Sequence, residues 1–420
     1  MSSIRIVLCA LVFSYWLFPV YLAVLPPICN QLIYNVVPII YLLLNKSKIV
    51  SFIRGLICKK YFYISMLLLI FFIIWSAIVL VINTSHDYSY FRKILTLFRE
   101  VYIFIFLFTL SSKIHLTDNY VTNFSMLYGL GIFICVNFTI YTLFNPDFRA
   151  YWQGILITSD KTFSLVENAQ YITRFSIGGF AGYGATILCS ISVLLSCYLI
   201  KNKYKIGIVF VFFSLLGNMF YGRIGILMST ICLVFMLFSF RSVIDFFRNV
   251  IIIVLVVCAF YIMFNFIDDP RLDLWISWLI QPLDSFFTGL QYGYFTLGSS
   301  GDKLAYGMYF LPDFPTLIFG DGRYTNGDNS YYMYTDAGYM RLILYSGIIG
   351  MLLLYLSFCF LSICAVKNLK YARQKNAVKI VFIAVLMLFI EEYKGDAFEI
   401  LFGFVSVLLL SSIMSNRGEI

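Results

Sequence analysis

The residues best suited to chemistry lie where charge enters apolar sequence. From Phe319 to Gly350 the chain reads FGDGRYTNGDNSYYMYTDAGYMRLILYSGIIG. Asp336 stands at the mouth of an apolar run, and Arg341 lies five residues further in, about 7–8 Å along a helix. Ionisable side chains inside a membrane segment are expensive, so each is a site candidate by default. Gly338, Gly347 and Gly350 allow close backbone approach. The plainer alternative has Asp336 favouring the helix dipole and Arg341 snorkelling. Arg341 then sits near the positive end of that dipole, which does the helix no service.

A second segment, RFSIGGFAGYG, runs from Arg174 to Gly184 and places one arginine before four glycines. An anion fits there, because a guanidinium donates bidentately and glycine backbone lets a ligand approach. Helix-packing glycines beside an interfacial anchor are the alternative. A third segment, YGRIG, puts Arg223 in a turn between two apolar runs. Arginines from three separate segments (Arg174, Arg223, and Arg323 with Arg341) suit a pyrophosphate at a membrane mouth.

Other polar groups carry less. FGDG at Phe319–Gly322 lacks the lysine and strand–helix context of a P-loop. Glu391, Glu392, Asp396 and Glu399 with Lys394 read as a polar hairpin tip or a proton relay. Arg99–Glu100 reads as a structural pair or an interfacial anchor. His86 and His115 are the only histidines and lie far apart, which disfavours Ser–His–Asp catalysis and histidine metal sites. The ten cysteines show no CxxC or zinc spacing and fit small buried hydrophobes.

These residues must be positioned by membrane helices. Of 420 residues, 61% are hydrophobic and only 12% charged, and the mean hydropathy is +0.89. A soluble globular domain and a disordered chain are both excluded. An all-α polytopic membrane protein remains. A span needs about 20 apolar residues, and about twelve are predicted: 6–25, 28–44, 61–82, 94–111, 120–144, 179–200, 206–220, 223–240, 249–267, 337–364, 379–393 and 397–414. MSSIR and the apolar run behind it read as a retained first span.

The net charge of +9 is a topology signal rather than a nucleic-acid footprint. Lys46, Lys48, Arg54, Lys59 and Lys60 follow span 2. Lys201, Lys203 and Lys205 follow span 6, Arg241 and Arg248 span 8, and Lys367, Lys370, Arg373 and Lys375 span 10. All fall on one side, which the positive-inside rule makes cytoplasmic, together with both termini. Residues 1–267 then hold transmembrane helices 1–9, with an outer loop near 145–178. Residues 268–336 form a large outer loop between spans 9 and 10. Residues 337–420 hold helices 10–12 and a cytoplasmic tail. Trp275, Trp278 and Phe286 predict short surface helices in the large loop. Neither an internal repeat nor two matched transporter halves is visible.

Three short motifs follow one another in this architecture. They are GR-x-G at Gly222–Gly225, FGxG at Phe319–Gly322, and Asp336-x-Gly338-Tyr339 followed by Gly347 and Gly350. Order, spacing and side of the membrane together resemble the bacterial O-antigen polymerases of the Wzy type. The resemblance implies a metal-independent, cofactor-free inverting glycosyltransferase of the inner membrane. It would join oligosaccharide repeat units carried on undecaprenyl pyrophosphate, at the periplasmic face. Asp336 would be the catalytic base, and Arg174, Arg223 and Arg341 would hold the pyrophosphate. Lys303, Gly320, Gly322, Arg323 and Gly338 would belong to the substrate loop. The family often has an arginine upstream of FGxG, where this chain offers Lys303. Aromatic residues of the loop (Trp275, Trp278, Tyr292, Tyr294, Tyr324, Tyr331 and Tyr332) are candidates to stack on sugars. A chain-length regulator and a flippase are implied partners beside membrane lipid; nucleic acid is not. An O-antigen ligase is the nearest alternative, disfavoured because the large loop has no histidine. A lipid-linked oligosaccharide flippase or transporter is the other, and would set its key charges near the midplane.

Overall fold

A bilayer core offers no partners to backbone N–H and C=O groups, so a chain this apolar must close them within helices. The computed structural model has this form, and it describes residues 2–47, 50, 56, 59–114, 116–157, 172–237, 270–292, 301–327 and 330–417. In chain order the helices are α1 (Ser2–Leu17), α2 (Pro27–Leu44), α3 (Lys59–Ile82), α4 (Ser89–Ser111), α5 (Tyr120–Phe144) and α6 (Pro146–Ile155). A two-stranded hairpin follows, β1 (Phe175–Ser176) and β2 (Gly179–Phe180). Then come α7 (Tyr183–Lys201), α8 (Ile206–Tyr221), α9 (Arg223–Leu237), α10 (Pro270–Tyr292), α11 (Phe314–Phe319), α12 (Gly338–Tyr371), α13 (Lys375–Glu391) and α14 (Phe398–Arg417).

The protein is an all-α multi-pass membrane protein. Among the described residues, α2, α3, α4 from Lys93, α5, α7 and α12 are long and apolar enough to cross a membrane. The apolar helices α1, α8, α9 and α14 are shorter. The predicted span 249–267 lies outside the described residues.

Several boundaries differ from the sequence expectation, among them the end of α12, at Tyr371 rather than near 364. The first helix ends at Leu17 rather than near residue 25. Beyond it the chain turns, and Asn30 clamps the turn by accepting from the Leu22 N–H (2.9 Å) and donating to the Leu22 carbonyl (2.8 Å). The helix expected from 179 starts at Tyr183, because Phe175–Ser176 pairs antiparallel with Gly179–Phe180. Gly179, at φ +94°, supplies the left-handed turn this hairpin needs. In the predicted large loop, α10 is one helix of 23 residues rather than a set of short ones.

Contacts group the chain into two units. The first comprises Met1–Leu43 and Phe106–Gln281, the second Leu44–Ile105 and Pro282–Ile420. In the first unit α7 is central and buried at every position from Ala185 to Leu199, as expected of a helix apolar all round. Small residues let its neighbours close in. A Cβ on Gly217 of α8 would strike Cys189 Sγ and Val136, and one on Gly207 would strike the Ser196 carbonyl. Helix α5 starts sharply because Asn119 accepts from the N–H groups of Val121 and Thr122.

In the second unit α12 plays the central part and packs against α3, α11, α13 and α14. Its axis breaks at Gly347 (φ +66°). The break leaves carbonyls unpaired within the helix, and the FGDG segment takes them up. The N–H of Asp321 donates to the Leu344 carbonyl (2.7 Å), and that of Gly322 to the Tyr345 carbonyl (3.0 Å). Gly320 and Gly347 meet backbone to backbone, with no room for a side chain on either. From α3, Trp75 Nε1 donates to the Ser346 carbonyl (2.8 Å). The two glycine motifs therefore form one joint.

Candidate functional site

In the second unit, charges gather around Asp396, in the turn between α13 and α14. Arg341 Nη1 donates to Asp396 Oδ2 at 2.6 Å. Lys93, from the start of α4, pairs with the same oxygen and lies 3.6 Å from Glu399 Oε1. The Tyr324 hydroxyl also donates to that oxygen. Arg341 is 6% exposed. Its guanidinium lies between two rings, 3.9 Å from the Tyr324 centroid and 3.8 Å from that of Tyr331. Burial pushes the Asp396 carboxyl up, but the charges of Lys93 and Arg341 outweigh this and hold it below its usual range. Burial and the Asp396 charge push the Tyr324 phenol up, so it keeps its proton and donates. A cavity of about 20 Å³, room for one water, is lined by Lys93, Glu392, Asp396 and Glu399 among apolar side chains.

Asp336 lies just before α12. Lys394 donates to its Oδ2 at 3.3 Å, and the Lys394 and Asp336 side chains are 33% and 37% exposed respectively. Asp336 Oδ1 is buried and has no hydrogen-bond partner among the described residues. A carboxylate oxygen in that state has unused capacity to accept a hydrogen bond. Gly338 is required beside it, since a Cβ there would strike Glu392 and the Gly395 carbonyl.

The loop that carries Tyr324 is tied to the α3–α4 turn. Asp87 Oδ2 accepts from the N–H groups of Tyr324 and Thr325, each at 2.6 Å. Ser85 Oγ donates to the Gly322 carbonyl (2.7 Å), and Asn83 Nδ2 to the Gly320 carbonyl (3.0 Å).

In the first unit, Arg174 and Arg223 share one indole. Their Cζ atoms lie 5.2 Å and 4.3 Å from the Trp278 ring centroid. Arg223 Nη1 also donates to the Trp278 carbonyl at 2.9 Å. Local structure explains both positions. Arg174 opens the β hairpin, and Thr173 Oγ1 anchors that end on the Phe220 carbonyl (3.0 Å). Arg223 begins α9 directly after Gly222, where the helix is interrupted. Trp275, one turn before Trp278, is fully buried with Phe220 against it, which sets the rotation of α10.

No family model, curated protein or solved structure matches this chain.

The site must therefore be read from its own residues. The structure brings Arg174 and Arg223 together in one unit, and Asp336, Arg341, Gly320, Gly322 and Gly338 within the other. Lys303 and Arg323 are exposed, and Arg323 faces the Tyr332 ring at 5.9 Å. Arg341, expected beside a pyrophosphate, has its guanidinium on Asp396 and between two tyrosine rings. Trp275 and Tyr324, expected to stack on sugars, are 0% and 4% exposed. Tyr294 lies outside the described residues. Among the described residues no three His, Cys, Asp or Glu side chains gather as a metal site.

Sequence reading missed Lys93 and Asp87, and treated Asp396 as part of a hairpin tip or a proton relay without its partners Arg341 and Lys93. Lys93 had a usable signal, a lysine at the edge of an apolar span. Asp87 had none, because beyond the neighbouring Ser89 its partners, Tyr324 and Thr325, lie more than two hundred positions away.

Proposed function

We propose that the protein is an O-antigen polymerase: an inverting membrane glycosyltransferase that joins undecaprenyl-pyrophosphate-linked oligosaccharide units at the periplasmic face of the inner membrane. The observation that carries this reading is the pair of arginines on Trp278. Two guanidiniums held over one ring make a fixed patch of positive charge, suited to a pyrophosphate and independent of a metal. On this reading about twelve helices cross the membrane, with both termini cytoplasmic. A chain-length regulator and a flippase act alongside.

In the reaction, the acceptor hydroxyl attacks the anomeric carbon of the donor chain. A C–O bond forms on the face opposite the leaving group, and the bond to pyrophosphate breaks. The hydroxyl proton passes to Asp336, whose buried Oδ1 has no hydrogen-bond partner among the described residues. The electron pair leaves with undecaprenyl pyrophosphate, an anion of the kind the Arg174 and Arg223 guanidiniums are suited to stabilise. Arg341 is assigned a supporting role, holding the Tyr324–Tyr331 loop on α12 rather than contacting phosphate. Lys303 and Arg323, both exposed, are assigned to the substrate loop.

A second reading, transport of a lipid-linked oligosaccharide, is favoured by the ion pairs of Lys93, Arg341, Asp396 and Glu399 at the ends of apolar helices. The test is complementation of a deletion strain with wild type, Asp336→Asn and Arg223→Ala, reading the lipopolysaccharide ladder and membrane expression. Polymerisation predicts a full ladder from wild type and single-unit material from the expressed variants. Full ladders from both variants would remove the assignment. Units accumulating on the cytoplasmic leaflet would favour transport.

A further inference from the structure

Most aromatic rings expected to meet sugar are already occupied. Trp275 and Tyr324 are buried, while Trp278 and Tyr331 face guanidinium groups. A different pair is placed to do this work. Tyr309 and Tyr393 lie parallel, with centroids 4.8 Å apart and an interplanar angle of 14°. The pair is held rigidly, because the Tyr309 hydroxyl donates to the Tyr393 carbonyl at 2.7 Å. Tyr393 is 43% exposed and Tyr309 is half-buried.

The same turn carries Lys394, bonded to Asp336. It is fixed by the Tyr339 N–H on the Glu392 carbonyl (3.2 Å) and by the Gly395 N–H on the Glu391 carbonyl (3.0 Å). Tyr309 is fixed from the other side, packed with Met308 against Ala337 and Met340. One rigid assembly thus offers an aromatic pair, an ammonium donor, and a carboxylate oxygen that lacks a partner among the described residues. Burial, and then the nearby Tyr393, Tyr339, Glu392 and Asp336, push the Tyr309 phenol up, so it stays neutral and keeps its bond.

We infer that Tyr309 and Tyr393, with Lys394 and Asp336, form a binding subsite for a saccharide, the acceptor unit. A sugar ring has a C–H face that packs on an aromatic ring and a rim of hydroxyls that need donors and acceptors. Sites for such ligands combine aromatic walls with a few placed polar groups. The subsite's place in catalysis rests on the polymerase reading, since it would bring the acceptor hydroxyl to Asp336. A plain interfacial tyrosine belt would need neither the locked parallel rings nor the open carboxylate.

The test is saturation-transfer NMR on the full chain in nanodiscs. The probe is the repeat-unit oligosaccharide released by mild acid from the source strain's surface polysaccharide. Wild type is expected to bind it. Tyr393→Ala should weaken binding about tenfold, the scale of a lost aromatic contact, whereas Tyr393→Phe keeps the ring and should retain it. Tyr306→Ala, at an exposed tyrosine outside the pair, controls for general surface effects. No binding by wild type, or equal binding by correctly folded Tyr393→Ala and Tyr309→Ala proteins, would overturn the subsite. The two readings fail separately. Tyrosine-dependent binding with ladders indifferent to Asp336 and Arg223 would leave the subsite standing and remove the polymerase. Ladders that need Asp336 and Arg223, with saccharide binding indifferent to both tyrosines, would do the reverse.

Discussion

Arg341 Nη1 lies 2.6 Å from Asp396 Oδ2, and that one oxygen also receives Lys93 and the Tyr324 hydroxyl. One carboxylate therefore meets two cations at the ends of apolar helices, with Glu399 a second partner of Lys93. Removing one partner of a buried pair strands the other charge, which costs more than the pair contributes. Asp396→Asn is expected to lower stability by about 3 kcal/mol, and adding Lys93→Met should recover part of it by removing one stranded cation. Thermal melting of the purified proteins in nanodiscs measures both steps. Equal losses in the single and double variants would show that Lys93 does not share the carboxylate.

The joint between FGDG and the break in α12 gives a second prediction. Gly347 has φ +66°, and a Cβ there would strike the Ile318 carbonyl. Gly347→Ala should cost about 1–3 kcal/mol from strained backbone, and should also loosen the Asp321 and Gly322 bonds to α12. Faster amide exchange over residues 320–325 than in wild type would report that loosening. Unchanged melting and exchange would mean the joint tolerates a side chain.

Asp87 makes the loop acid-sensitive. Burial opposes its charge, but the Ser89 hydroxyl and the N–H groups of Thr325 and Tyr324 outweigh it and hold the carboxyl below its usual range. A depressed carboxyl pKa contributes stability fully above the unfolded value, about 4, and loses it as pH falls through the folded value. Melting temperature should fall between pH 5 and pH 3 more steeply in wild type than in Asp87→Asn. Parallel curves would remove Asp87 from the account.

Arginine chemistry at Trp278 is testable with a charge-conserving change. Arg223→Lys keeps the charge but loses the planar stack and the fork. It should reduce polymerisation about tenfold, close to the loss in Arg223→Ala, while Trp278→Phe keeps an aromatic face and retains more activity. Ladder density against time, normalised to membrane protein, makes the comparison. Full activity in Arg223→Lys would show that charge alone suffices.

Several features were legible beforehand because they depend on local pattern. Apolar runs mark helices α3 and α5, and the start of α12, to within a few residues. The glycines at 320, 322, 338 and 347 stand out by type, and the structure supplies their reasons, a left-handed φ at three of them and a close contact at Gly338. Arg174 and Arg223 were paired in advance only by side of the membrane, and the shared indole was invisible because Trp278 is far along the chain. The end of α1 was misplaced because hydropathy continues through Pro19 and Val20, while the backbone turns there.

The sequence alone determined that the chain forms helices in a membrane, since the free energy of apolar burial and the need to close backbone hydrogen bonds are properties of composition and period. It also marked which charges would be costly. Only the tertiary structure decided how those charges are compensated. Arg341 meets Asp396, Lys93 joins them, and Asp336 keeps one oxygen open, because pairings between distant residues follow from helix packing and from the break at Gly347. Electrostatic energy depends on distances of a few ångströms, and spacing along the chain does not encode them.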